Sequence, residues 1–336
     1  MNNQTILVVG GAGYIGSHTS WLLHQQGYNV IVLDKLVHKQ TFNQSWARLI
    51  KSDFSNEQTL KTIFTENKID CVMHFAAFIE VGESVKNPKD FYQNNVTKTL
   101  TLLNSMLEHG VNKFIFSSSC AVYGVPQKLP LEETHQFAPV SPYGKNKLVI
   151  EYALQDYAKA YGLQYISLRY FNASGACPEK MLGEWHIPET HVIPKLLRAA
   201  MNNQTFLVCG DDYSTQDGTC IRDYVHVLDI GQAHIQAYEH LNKTGISDCF
   251  NLGSEYGFSI KQLISAAEQI CKTKIKIGIC NRRPGDVPIL IANASKAQKI
   301  LGWQAKNSSI ENILKSALEW ENILIKTKYF SLTPRI

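Results

Sequence analysis

The first thirty-four residues constrain the fold more than anything that follows. Residues 5–9 (TILVV) are short, apolar and β-rich, and they run into Gly10-Gly11-Ala12-Gly13-Tyr14-Ile15-Gly16. An amphipathic stretch follows at 17–26, Gly27 stands where a helix would be capped, and residues 29–33 (NVIVL) form a second apolar run that ends at Asp34. Strand, glycine turn, helix, strand and acidic residue in that order form a dinucleotide-binding βαβ pattern. Glycine permits the tight turn and lets the main chain approach a pyrophosphate, which rests on N–H groups at a helix N-terminus. Asp34 lies 18 positions beyond Gly16, where a carboxylate accepts hydrogen bonds from the adenosine ribose and repels a 2′-phosphate. NAD is therefore expected rather than NADP, with Gly10, Gly13, Tyr14, Ile15, Gly16 and Asp34 among its contacts.

Strand-like runs recur at 69–75, 113–117 and 165–170, separated by helical stretches at 57–67, 90–109 and 142–161. Apolar, unalternating strands between helices indicate a parallel sheet covered on both faces. The expected class is α/β: a Rossmann-type doubly wound parallel sheet with a smaller mixed α/β substrate lobe. Ligands meet such sheets beyond the carboxyl ends of the strands. That makes Asp53, with Phe54 beside it, a candidate to meet the adenine, and places Phe75 and Ala76 beside the cofactor. The expected division is an NAD-binding domain of 1–172 plus 223–253 and a lobe of 173–222 plus 254–330. Residues 224–253 should return to the main sheet. Further helices are expected at 194–201, 228–241, 259–272, 295–301 and 310–326, with 330–336 frayed at the end.

Hydroxyls then gather at another strand end, Ser117-Ser118-Ser119. Residues 141–147 read SPYGKNK. Ser141 suits a helix N-cap and Pro142 the first helical position, which puts Tyr143 in the first turn. Lys147, four residues on, shares its face. A free tyrosine has a pKa of about 10, too high for a general base at neutral pH. A nearby ammonium and a positive nicotinamide ring favour the phenolate. Ser119, Tyr143 and Lys147 are the candidate catalytic set, with Ser119 holding the substrate hydroxyl.

With these residues in view, the chain resembles the extended short-chain dehydrogenase/reductase family, and within it the UDP-galactose 4-epimerases. The shared stretches are GGAGYIGSHT from Gly10, VGES from Val81, FSSS with VYG from Phe116, SPYGK from Ser141, RYFN from Arg169, DGTCIRDYVHV from Asp217, FNLG from Phe250 and RRPGD from Arg282. The resemblance implies NAD-dependent interconversion of UDP-glucose and UDP-galactose. Tyr143 would remove the proton of the sugar 4-hydroxyl while a hydride leaves carbon 4, and the 4-keto sugar would rotate and be reduced on its other face. It implies sugar or diphosphate contacts from Asn172, diphosphate contacts from Arg222 and Arg283, and a uridine ribose anchor in Asp286. On the cofactor side it implies Asn94, Tyr170, Ser117, Tyr143 and Lys147. His191 is a candidate neighbour of the UDP. Leu290 stands where some members carry a bulky tyrosine, which leaves acceptance of N-acetylated sugars open. A homodimer built on paired helices is the implied assembly.

Other classes are disfavoured. A net charge of +4 without a basic block argues against nucleic acid and membrane partners. Eight cysteines without C-x-x-C spacing, and no basic leader ahead of the short apolar run, suggest a cytoplasmic protein with reduced thiols. A 4,6-dehydratase would need an Asp-Glu pair where Cys120-Ala121 stand. An epimerase of another UDP sugar (an N-acetylhexosamine, glucuronate or pentose) is the main alternative, followed by a non-catalytic NAD sensor. Residues 183–191 alternate Glu and His, but Pro188 interrupts any helix that would align them, and no metal is expected.

Overall fold

The computed structural model describes residues 4–36, 45–283 and 285–327; the expected frayed end at 330–336 and Pro284 lie outside them. In chain order the first half contains β1 (Thr5–Val9), α1 (Tyr14–Gln25), β2 (Asn29–Asp34), β3 (Arg48–Lys51), α2 (Glu57–Glu66), β4 (Cys71–His74), α3 (Val81–Lys86), α4 (Pro88–Phe91), α5 (Lys98–Glu108), β5 (Lys113–Ser119), α6 (Pro142–Tyr161) and β6 (Gln164–Tyr170). The second half contains β7 (Asn172–Ser174), α7 (Val192–Met201), β8 (Thr205–Cys209), β9 (Ile221–His226), α8 (Val227–Thr244), β10 (Asp248–Leu252), β11 (Gly257–Ser259), α9 (Ile260–Cys271), β12 (Lys276–Cys280), β13 (Ile289–Leu290), α10 (Ser295–Leu301) and α11 (Ile310–Lys326).

Seven strands form one parallel sheet in the order β10-β6-β5-β4-β1-β2-β3. The order reverses between β1 and β4, the switch point at which doubly wound sheets open a crevice for ligands. Burial explains the unalternating strand sequences. In β1, Ile6 and Val8 join one core while Leu7 and Val9 join the other. Successive side chains point to opposite faces, so a strand covered on both sides must be apolar throughout.

Residues 224–253 divide between two sheets. Only β10 reaches the main sheet, beside β6, whereas β9 pairs with β7, β11 and β13 in a separate four-stranded sheet. A third core unites Leu196 and Leu197 of α7, Leu263 of α9, and Ile313 and Leu314 of α11. The helix expected at 90–109 is also interrupted: α4 passes through a π-helical segment, Tyr92–Thr97, before α5 begins. Such wide turns often stand at functional sites.

Candidate active site

One cleft of about 1270 Å³ opens across the switch point. Its wall includes every sequence-predicted site residue except Asp53. The glycine turn builds one end. Gly10 has φ +78, and a Cβ there would stand 2.5 Å from the Ala76 nitrogen, so only glycine lets β1 and β4 end side by side. A Cβ on Gly16 would lie 2.3 Å from the Gly10 carbonyl oxygen, which fixes how closely α1 approaches the turn. Helix α1 begins at Tyr14, three residues earlier than its amphipathic pattern suggests, because Gly13 serves as its N-cap residue. Asp34 does more than border the cleft: its carboxylate accepts from Ala12 N–H at 3.1 Å and Leu36 N–H at 2.8 Å, tying the glycine turn to the end of β2.

Asp53 stands apart. Its carboxylate pairs with Lys98 at 2.5 Å and accepts from Ser55, while its neighbours Ser52 and Phe54 face the cleft. Within the π-helical segment, Asn95 holds both the N–H and the carbonyl of Phe78, at 2.8 and 2.9 Å. The adjacent Asn94 faces the cleft, and its buried Oδ1 has no hydrogen-bond partner. An orphaned acceptor on the wall of the cleft that the glycine turn also lines fits a polar dinucleotide.

The reactive centre lies where β5 meets α6. The Ser141 hydroxyl caps α6 by accepting from Gly144 N–H at 3.2 Å, and Pro142 occupies its first turn. Ser119, at the end of β5, shares the cleft wall with the Tyr143 phenol and acts to lower its pKa. Lys147 donates to the Ser117 carbonyl at 2.6 Å, and its ammonium stands 5.7 Å from the centre of the Tyr143 ring. Ser117 and Tyr170 are hydrogen-bonded through their hydroxyls. Burial pushes the Tyr143 phenol up to about 12. Burial also pulls the Lys147 ammonium down to about 7, against the opposing pull of the Glu151 carboxylate. The spacing suggests a phenol lowered by the lysine; in the protein's own environment burial instead raises it, and Ser119 is what acts to lower it.

At the opposite end, Arg222 pairs with Asp286 at 3.3 Å, the exposed Arg283 stands beside Cys209, and Asn172 donates to the Asp223 carbonyl at 2.8 Å. Two guanidiniums on the wall of one cleft match a diphosphate in charge and shape.

The comparisons with known proteins agree with this geometry. Residues 6–253 match the model of the NAD dependent epimerase/dehydratase family. The chain belongs to that family. It is 49% identical over 318 residues to the UDP-glucose 4-epimerase of Halalkalibacterium halodurans, covering 94% of this chain and 95% of that one. Among solved structures it resembles the UDP-glucose 4-epimerase of Brucella ovis in complex with NAD, at 43% identity and a TM-score of 0.90. That match covers 94% of this chain and 97% of the other. It also resembles the UDP-Glc/GlcNAc 4-epimerase of Campylobacter jejuni, at 40% identity and a TM-score of 0.82, covering 96% and 100%.

A member of this family uses NAD, and the wall built by Gly10, Gly13, Gly16, Asp34, Asn94 and Lys147 fits that cofactor. Sequence reasoning misses several residues that organise this epimerase/dehydratase site. Glu151, one turn beyond Lys147, accepts from Ser118 and from Arg169. Arg169 also donates to Tyr123, whose hydroxyl donates to Asn251. Asp223 accepts from Ser254, Glu255 and Ala292, joining β9 to the chain beyond β10. The i, i+4 relation of Lys147 to Glu151 is the one signal visible in advance.

Proposed function

We propose that this chain interconverts UDP-glucose and UDP-galactose by transient oxidation at carbon 4. The observation that carries the reading is the meeting of Ser119, Tyr143 and Lys147, with the Lys147 ammonium 5.7 Å from the centre of the Tyr143 ring, on the wall of the cleft that the glycine turn also lines. Bound NAD supplies the acceptor and later donor of the hydride, and its positive ring favours the phenolate. Tyr143 removes the proton of the 4-hydroxyl and returns it when the opposite face is reduced, while Ser119 holds that hydroxyl in line. Lys147 keeps the end of β5 in register with α6 and adds positive charge beside the base. Asn172, His191, Arg222, Arg283 and Asp286 retain the UDP while the 4-keto sugar turns.

On the cofactor side, Asp34 holds the adenosine ribose, Ser52 and Phe54 border the adenine end, and Tyr170 and Phe75 flank the nicotinamide. The main sheet with its helices forms the NAD domain. The sheet around β9, together with the core of α7, α9 and α11, forms the substrate lobe. The proposal includes a homodimer formed across the exposed apolar residues Val149 and Tyr152 of α6 and Val85 of α3. It also includes a cytoplasmic location, in keeping with eight free cysteines. No helix among the described residues is long and apolar enough to cross a membrane.

A second reading, acceptance of UDP-N-acetylhexosamines, is favoured by Leu290, which stands on the cleft wall. Proton NMR of the protein with UDP-galactose and with UDP-N-acetylgalactosamine tests both. Conversion of UDP-galactose to UDP-glucose without net NADH is expected. Failure to convert either sugar by a protein that retains NAD would refute the assignment.

A further inference from the structure

The loop at 183–191 gathers four ligand-bearing side chains, of which the proposed reaction uses only His191, as a contact to the UDP. Glu184, His186, Glu189 and His191 each offer one ligand atom, and those atoms lie within 4.8 Å of one another. His191 Nδ1 stands 2.7 Å from Glu184 Oε1 and 3.1 Å from Glu189 Oε1, and His186 Nδ1 stands 3.4 Å from Glu184 Oε1. Ligands about 2.1 Å from a tetrahedral zinc ion stand about 3.4 Å apart, so these separations approach those of a gathered shell.

Charge points the same way. The Glu184 and Glu189 side chains are 8% and 5% exposed. A third carboxylate, Glu321, is engaged by Arg198 through Nε at 2.8 Å and Nη2 at 2.9 Å. Arg198 stands 3.7 Å from Glu189 Oε2, and that buried oxygen accepts no hydrogen bond. Three carboxylates face one guanidinium in a desolvated place, with the His191 and His186 imidazoles against Glu184; a divalent cation held by these donors would supply the remaining positive charge directly, in place of a proton on His191.

We propose that Glu184, His186, Glu189 and His191 form a structural zinc site. Two imidazoles and two carboxylates suit zinc, whereas magnesium and calcium favour oxygen-only shells. Four protein ligands close the shell, so the ion binds no substrate and does no chemistry. It clamps the loop that leads directly into α7, and all four ligands stand on the cleft wall. Pro188 does prevent a helical ligand array; the loop brings the donors together without one.

The test uses the NAD-bound protein, stripped with a chelator and titrated with zinc chloride against a chromophoric competitor. One zinc per chain is expected, with a rise in Tm on loading. Glu184→Gln and His186→Asn should each weaken zinc binding by at least about 100-fold, since even outer-shell partners of a metal are worth 10–100-fold. Circular dichroism and retained NAD identify a folded variant, and either variant suffices if the other does not fold. Zinc held equally well by a folded variant overturns the site. So does a wild-type protein that binds no stoichiometric zinc. Cys209 and Cys280, with sulfurs 3.2 Å apart, are a competing thiol pair; loss of the zinc in Cys280→Ser alone also overturns it.

Discussion

Arg169 and Glu151 form a fully buried ion pair, with Arg169 Nη2 standing 2.5 Å from Glu151 Oε2 at the junction of β6 and α6. Arg169 adds a second contact through Nε at 3.0 Å. The pair lies directly behind the reactive centre: Glu151 follows Lys147 by one helical turn and also accepts from Ser118, between Ser117 and Ser119. It therefore locks the strand that carries the serines to the helix that carries the tyrosine and lysine.

Breaking one half of such a pair leaves an uncompensated buried charge. Arg169→Met should destabilise the protein by about 3–5 kcal/mol, measured by denaturant unfolding. A loss below about 1 kcal/mol would show that the pair does not hold β6 to α6.

Tyr143→Phe removes the hydroxyl assigned as general base. Turnover of UDP-galactose should fall by at least about 100-fold with NAD still bound. Near-normal turnover would remove Tyr143 from that role.

Lys147→Ala tests the electrostatics of the base. Burial holds the phenol high, up to about 12; a cation 5.7 Å from the centre of its ring opposes that by favouring the ionised form. Without that cation the phenol's pKa rises, so the active, deprotonated form is scarcer at neutral pH and recovers as pH increases. The alkaline shift of the kcat–pH profile should reach at least about one unit. An unshifted profile with a uniformly lower kcat would instead assign Lys147 a purely positional part.

Asp34→Ala should loosen discrimination against NADP, read as the ratio of dissociation constants for NAD and NADP. Because Asp34 also holds Ala12 and Leu36, the variant should bind NAD itself more weakly. An unchanged preference would exclude the ribose contact.

The sequence discloses what is local. The glycine turn, the cap at Ser141 and the spacing of Tyr143 and Lys147 depend on neighbours within one or two turns, and each can be read before the chain is folded. What it conceals is set by distant pairing. Glu151 alone reads as part of a solvated helix face; only β6, packing alongside, brings Arg169 to it. Asp53 lies just beyond an edge strand, as a cofactor contact would, yet Lys98, forty-five residues later, pairs with its carboxylate. The wide π-helical turn that presents Asn94 leaves no periodic signature. The ligands of 184–191 fail a helical template because a loop assembles them.

In the proposed reaction carbon 4 gives up its hydrogen to bound NAD and takes the same hydrogen back. UDP-galactose carrying deuterium at carbon 4, incubated with the protein in ordinary water and followed by NMR and mass spectrometry, tests it most directly. UDP-glucose that retains the deuterium at carbon 4, with no net NADH, is expected. UDP-glucose bearing solvent hydrogen at that carbon would contradict it.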